Sequence, residues 1–202
     1  WSPFASFRYK VEGHKVNIYY TGYTQEQSGR YRTPALDISN PIQISAGNIY
    51  LKQYMYHYLG GYVRHNNREN FSYVNARFSG NMEQNAIVQA SWFDRNAIRY
   101  SVPVNSRKPS YSLSGTLTYN QPFGEKRYWT FSTYADVSYS ASAGYQAKEG
   151  LEGMDIEEFD YNDFMSVFWG NSSGDRFYSG DSGFSESKMT TLHYALDLGL
   201  KY

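Results

Sequence analysis

Apolar and polar residues alternate with a period of two along most of this chain, and the alternation persists over long runs. In Ser110 to Asn120 the odd positions are Tyr111, Leu113, Gly115, Leu117 and Tyr119, and every even position is Ser, Thr or Asn. Trp129 to Ala141 sets Trp129, Phe131, Ala135, Val137 and Tyr139 against Thr130, Ser132, Asp136, Ser138 and Ser140. The last segment sets Leu192, Tyr194, Leu196, Leu198, Leu200 and Tyr202 against Thr191, His193, Asp197 and Lys201. Near the start, Phe7, Tyr9 and Val11 alternate with Arg8 and Lys10. After a tight turn at Gly13 and His14, Val16, Ile18 and Tyr20 oppose Lys15, Asn17 and Thr21. Side chains of an extended strand point alternately to opposite faces, so each run makes a strand with one apolar and one wet side.

A soluble sandwich gives the same pattern, and two features favour a membrane barrel over it. Crossing a bilayer takes about 9–11 residues, whereas soluble strands usually run about five or six. The aromatic residues also stand near the ends of the apolar faces (Tyr111 and Tyr119, Trp129 and Tyr139), with smaller groups between them, as interfacial girdles would.

Composition agrees. The 202 residues include 22 Tyr, 12 Phe and 4 Trp, which make 19% of the chain, while the mean hydropathy is −0.67. Tyr joins an apolar ring to a wet tip and suits boundaries between apolar and aqueous phases. Lys plus Arg equals Asp plus Glu at 19 each, which argues against nucleic acid as a partner. The absence of Cys excludes disulfides, thiolate metal sites and cysteine nucleophiles. No apolar run is long enough for a transmembrane helix. The chain opens at Trp1 without an initiating Met or signal peptide, and reads as a mature or excised segment.

The connections alternate in length. They are short at Gly13, His65 to Glu69 and Gln121 to Arg127, and long at Gln25 to Tyr50 and Ser142 to Ser187. Between them, a turn near Asp94 to Asn96 joins two stretches, Phe71 to Phe93 and Ala97 to Asn120, that should project as a hairpin. Membrane barrels sort short turns to one side and long loops to the other. The expectation is an all-β chain: an antiparallel up-and-down meander of about seven long strands. It forms one unit over residues 1–202, a segment of a transmembrane β-barrel, with external loops at about 25–50 and 142–187.

Residues Pro34 to Lys52 read PALDISNPIQISAGNIYLK. This resembles a segment of the form P…L…SNPLxIxxGNPxLKPE in the barrels of Bacteroidetes TonB-dependent-receptor-like outer-membrane proteins. The matching residues are Pro34, Leu36, Asn40, Pro41, Ile44, Gly47, Asn48, Leu51 and Lys52. Asn85-Ala86-Ile87-Val88, Pro103-Val104-Asn105 and the strand from Tyr111 follow in a similar order. Ile49, Gln53 and Tyr54 depart from the pattern. The resemblance implies the barrel wall of a nutrient uptake receptor in the bacterial outer membrane. Its partners would be outer-membrane lipid, a surface lipoprotein, and TonB through regions outside these residues; nucleic acid is not among them. It also implies that Met55, His57, Leu59, Gly61 and Val63 face lipid. Tyr54, Tyr56, Tyr58 and Tyr62 would then face the lumen and become candidate ligand contacts.

No constellation for chemistry emerges. His14, His57, His65 and His193 lack ligand spacing. Asp155, Glu157, Glu158 and Asp160 form an acidic cluster without the central Gly of a calcium loop. They are candidates for calcium, a cationic ligand or a docked lipoprotein, against the plainer reading of a solvated loop. There is no G-x-S-x-G elbow. The expectation is no enzyme, no catalytic residue, no cofactor and no metal. Two other readings stay open: a soluble Tyr-rich β-sandwich that binds glycans, and a complete small outer-membrane barrel.

Overall fold

A computed structural model describes residues 2–26, 28–33, 35–93, 96–147, 168 and 183–202. The described residues are almost all β, with one complete helical turn, α1 (Gly29–Arg32). Seven long strands carry the alternating sequences: β1 (Phe4–Val11), β2 (His14–Gln25), β5 (Tyr54–Asn66), β6 (Tyr73–Gln84), β9 (Ser110–Phe123), β10 (Trp129–Ala147) and β11 (Phe184–Lys201). Four short strands lie between them: β3 (Leu36–Asn40), β4 (Gln43–Ala46), β7 (Ile87–Phe93) and β8 (Arg99–Asn105).

β1 pairs β2, β2 pairs β5, β5 pairs β6, β6 pairs β9, β9 pairs β10 and β10 pairs β11, each antiparallel. The turns at Glu12–Gly13, 67–72 and 124–128 lie at one end of these strands, and the segments 26–53, 85–109 and 148–183 leave from the other. Gly13 closes the first turn with φ +76°, and a Cβ there would press on the Asn66 carbonyl oxygen at 2.7 Å.

The expected purely antiparallel meander of about seven strands needs correction. Among the described residues the sheet has eleven strands and is mixed and unclosed: β4 pairs β8 in parallel, β7 pairs β10 in parallel, and β1 and β11 each pair only inward. The segment expected as an external loop at 25–50 holds α1, β3 and β4. The second expected loop begins later than Ser142 and ends before Ser187, because β10 and β11 stay in register up to Ala147 opposite Phe184.

The projecting hairpin is also interrupted. Asn85 adopts the left-handed conformation (φ 56°), which ends β6, and β7 departs from the line of the sheet. Asn105 fixes this junction: its Oδ1 accepts from Lys52 N–H (2.7 Å), and its Nδ2 donates to the carbonyls of Lys52 (3.1 Å) and Asn85 (2.8 Å). β10 changes neighbour here. Its pairing with β9 ends at Ala141 opposite Tyr111, and Tyr145 then sits opposite Ala90 of β7.

The hydrophobic core forms among these extensions. Ile44, Ala46, Ala90, Trp92, Tyr100, Val102, Val104, Tyr145, Phe168 and Phe184 are buried together. Trp92 stacks on Tyr100 with ring centres 5.5 Å apart and meets Phe184 edge-on at 6.3 Å.

Candidate functional site

The seven long strands present two unlike faces, and the register shows how each is composed. Phe7, Ile18, Gly61, Phe78, Gly115, Val137 and Tyr194 stand side by side across the sheet. The next row is Tyr9, Val16, Val63, Ala76, Leu117, Ala135 and Leu196, and the row on the other side includes Tyr20, Leu59, Gly80, Leu113, Tyr139 and Leu192. Glycines stand between large residues in two of these rows, Gly61 and Gly115 in the first and Gly80 in the third. A Cβ on Gly61 would approach Phe78 Cζ at 3.0 Å, and one on Gly80 would approach Leu113 Cδ2 at 2.9 Å. The face is therefore interlocked, yet no second layer of the described residues lies over it. Leu113 is 55% exposed, Val137 50%, Leu196 63% and Leu198 66%. Phe131, expected on the same side, is half-buried. Monomers in water rarely leave so continuous an apolar surface open.

Aromatic residues bound this face at both ends. Toward the short turns, Tyr202 packs against Trp129 (4.8 Å between ring centres) and Tyr128 (6.2 Å), and Tyr119 meets Phe131 (6.5 Å). Toward the long segments, Tyr111 pairs with Tyr139 (5.9 Å), and the Tyr20 hydroxyl shares a 2.8 Å hydrogen bond with His57 Nδ1. Trp129 and Tyr139 are both on β10, separated by about 34 Å of strand at ~3.4 Å per residue. Tilted by ~35–45°, that length covers about 25 Å, the height of a barrel's apolar band.

The opposite face is polar and carries Tyr54, Tyr56, Tyr58 and Tyr62, which register with Gln25, Tyr23, Thr21 and Asn17. Met55, His57, Leu59, Gly61 and Val63 lie on the apolar side of the same strand. The tyrosines do not stand alone. Tyr19 donates to the Tyr58 hydroxyl at 3.4 Å, the rings of Tyr23 and Tyr56 are 5.0 Å apart, and Tyr54 donates to Gln25 Oε1 at 2.5 Å. Gly60 leaves room for this cluster, since a Cβ there would sit 2.7 Å from the Tyr58 ring. The sequence reading missed Tyr19 and Tyr23, although Tyr19 shares its parity with Lys15 and Asn17 on the wet side. Farther along, Ser79 and Ser114 share a 2.7 Å hydrogen bond, and Ser112 donates to Asn81.

Of the residues behind the family resemblance, Pro34 lies outside the described residues, and Asn40, Gly47 and Asn48 act structurally. A Cβ at Gly47 would run into the Thr33 carbonyl oxygen. Asn48 is buried; its N–H donates to the Tyr31 carbonyl (2.6 Å) and its Nδ2 to the Pro103 carbonyl (2.9 Å). Asn40 Oδ1 accepts from Ile42 N–H in the turn between β3 and β4. Together they seat α1 and β4 on β8 and line no ligand-sized space. A cavity bounded by Leu36, Ile44, Trp92, Tyr100 and Val102 holds about 10 Å³, enough for one water at most.

The fold brings two of the four histidines together, His14 stacked on His65 (4.2 Å between ring centres), while His57 lies at Tyr20 and His193 Nδ1 is 3.3 Å from Asp136 Oδ1. Among the described residues no three His, Cys, Asp or Glu side chains converge as metal ligands, and no helix is long and apolar enough to cross a membrane. Asp155, Glu157, Glu158 and Asp160 lie outside the described residues. No family model, curated protein or solved structure matches the chain.

Proposed function

We propose that this chain is a stretch of the wall of a bacterial outer-membrane β-barrel, and that its parent is a TonB-dependent nutrient uptake receptor. The apolar face contacts hydrocarbon and the tyrosine-bearing face meets water in the lumen. One observation carries the reading: a continuous, interlocked apolar face with no second layer of this chain over it among the described residues. Burying a Val, Leu or Phe side chain is worth about 1.5–3 kcal/mol. Lipid recovers that free energy at Leu113, Val137, Leu196 and Leu198, where water forgoes it. Along the seven long strands, neighbours pair their backbones in unbroken register, as a hydrocarbon phase requires.

The uptake role rests on the resemblance at Pro34 to Lys52. A glycan-binding sandwich would need a second sheet about 10 Å from the apolar face, and a complete small barrel would need β1 beside β11; the described residues form neither arrangement. The proposal also requires that further strands pair the outer edges of β1 and β11, because open edges do not occur in lipid.

Spin labels at single cysteines test the face assignment in reconstituted vesicles. Labels at 113, 137 and 196 should relax with dissolved oxygen, and labels at 114, 116 and 138 with a water-soluble nickel chelate. Equal response on both faces, or a monodisperse chain in detergent-free buffer, would refute the proposal.

A further inference from the structure

We infer that the polar face of β1, β2, β5 and β6, next to the short turns, is a binding strip for a multivalent anion. The register places Lys10 opposite Lys15, and Lys15 opposite Arg64. Three cations thus occupy consecutive positions across three strands, spanning about 10 Å at 4.7–4.9 Å per strand. One pleat away, Arg8 and Arg77 lie in a common row with Asn17 and Tyr62 between them. None of the five forms an ion pair with a carboxylate among the described residues, and Glu12, two residues beyond Lys10, pairs with Arg68 at 3.3 Å. Like charges directly opposite each other in a sheet oppose its formation, so this arrangement costs stability unless an anion neutralises it.

A second, independent observation points to the same place. Asn75, opposite Arg64, is only 7% exposed, and its Oδ1 has no hydrogen-bond partner. Asn17 Oδ1 and Arg64 Nε are likewise buried and unpartnered. A half-turn of either amide exchanges the acceptor for an NH₂ donor. The strip thus offers ammonium groups, guanidinium forks and amide N–H groups, the donor set that recognises phosphate or carboxylate oxygens. Arg64 is held over the rings of Tyr62 (5.9 Å) and Tyr73 (5.8 Å), which fixes its orientation in advance. Of the acids of this face, Asp136 and Asp197 stand on β10 and β11, beyond β9 from the cations, and Glu83 stands opposite Tyr56 at the far end of β6, about 20 Å along the strand from Arg77.

The inference goes beyond the proposed barrel wall and does not depend on it, since it concerns only the wet side of the sheet. The test is calorimetric titration of the detergent-solubilised chain at low ionic strength with inorganic tripolyphosphate, with citrate, and with neutral maltotriose as control. Binding of either anion and not of the sugar is expected, and the stronger of the two identifies phosphate or carboxylate as the preferred group. The affinity should fall as NaCl is added. Lys15→Gln and Arg64→Gln should each weaken binding by at least about tenfold. Lys10→Gln, at an exposed position that cannot break the fold, should weaken it too. Without anion, Lys15→Gln should raise the thermal midpoint, because it relieves the repulsion. Absence of anion binding by the unmodified chain, or unchanged affinity in Lys10→Gln and Lys15→Gln, would overturn the inference.

Discussion

The Arg127 guanidinium lies 4.6 Å from the centre of the Phe71 ring, and both residues are left-handed, with φ of 55° and 58°. Arg127 also donates from Nη2 to the Glu69 carbonyl at 2.6 Å, so it ties the 124–128 turn to the 67–72 turn. A left-handed L-residue costs roughly 1–2 kcal/mol, and an exposed cation–π contact returns about 0.5–1 kcal/mol. Arg127→Ala keeps the strain and loses the contact, and should destabilise by about 0.5–1 kcal/mol. Arg127→Gly loses both and should stay within about 1 kcal/mol of the parent. Urea unfolding in detergent separates the two variants. A glycine variant less stable than the alanine one would show that the backbone strain is not the opposing cost.

Leu117 and Thr116 are neighbours on opposite faces of β9. Leu117→Arg should cost about 2–4 kcal/mol in a reconstituted bilayer. Thr116→Arg would stand between Arg77 and Asp136 in its row and should cost much less. Equal losses on denaturant unfolding would remove the distinction between the faces.

Trp92 is 3% exposed and anchors the core formed by the strand extensions. Trp92→Ala should cost about 3–5 kcal/mol locally. The loss should appear in hydrogen exchange as faster amides in β7 and β8, with little change at the β6–β9 pairing. Uniform acceleration throughout the sheet would mean that the core supports the long strands as well.

Lys108 Nζ lies 2.8 Å from Glu186 Oε1, and that hydrogen bond holds the lysine above its ordinary value of 10.5. A folded-state pKa raised in this way adds stability that is fully present below 10.5 and is lost as the pH rises through the folded value. The gap in thermal midpoint between the parent and Glu186→Gln should be steady through neutral and mildly alkaline pH, then close at high pH. A gap that widens at high pH would assign the effect elsewhere. Lys108 is largely exposed, so the gap should be small.

The long strands were legible because each has one apolar and one wet side. The run expected at Ser110 to Asn120 is β9, and the hairpin turn expected at Gly13 and His14 falls at Glu12 and Gly13. β7 and β8 were not legible as separate strands. Tyr100 to Asn105 are buried on both sides, so their sequence carries no alternation to mark a break. The break itself is a backbone event at Asn85, which side-chain periodicity does not record. β3 and β4 are too short for a period to show, and their Asn-Pro turn reads as loop. Of the candidate site, the tyrosines of β5 were visible by parity once the family register was adopted. The row of Lys10, Lys15 and Arg64 was not, because it exists only once three strands are set in register.

The exchange of neighbours by β10, from β9 at Ala141 to β7 at Tyr145, divides the molecule into two separately specified parts. Below that seam, cross-strand register dictates each residue's surroundings, and insertion of a single residue would turn a whole strand inside out. Above it, shape is set by Trp92, Tyr100, Phe168 and Phe184 packing in a compact cap. Such a cap can be lengthened, shortened or exchanged for another without renumbering a single pairing beneath it. The sequence of the cap is therefore free to vary while the long strands beneath keep their register.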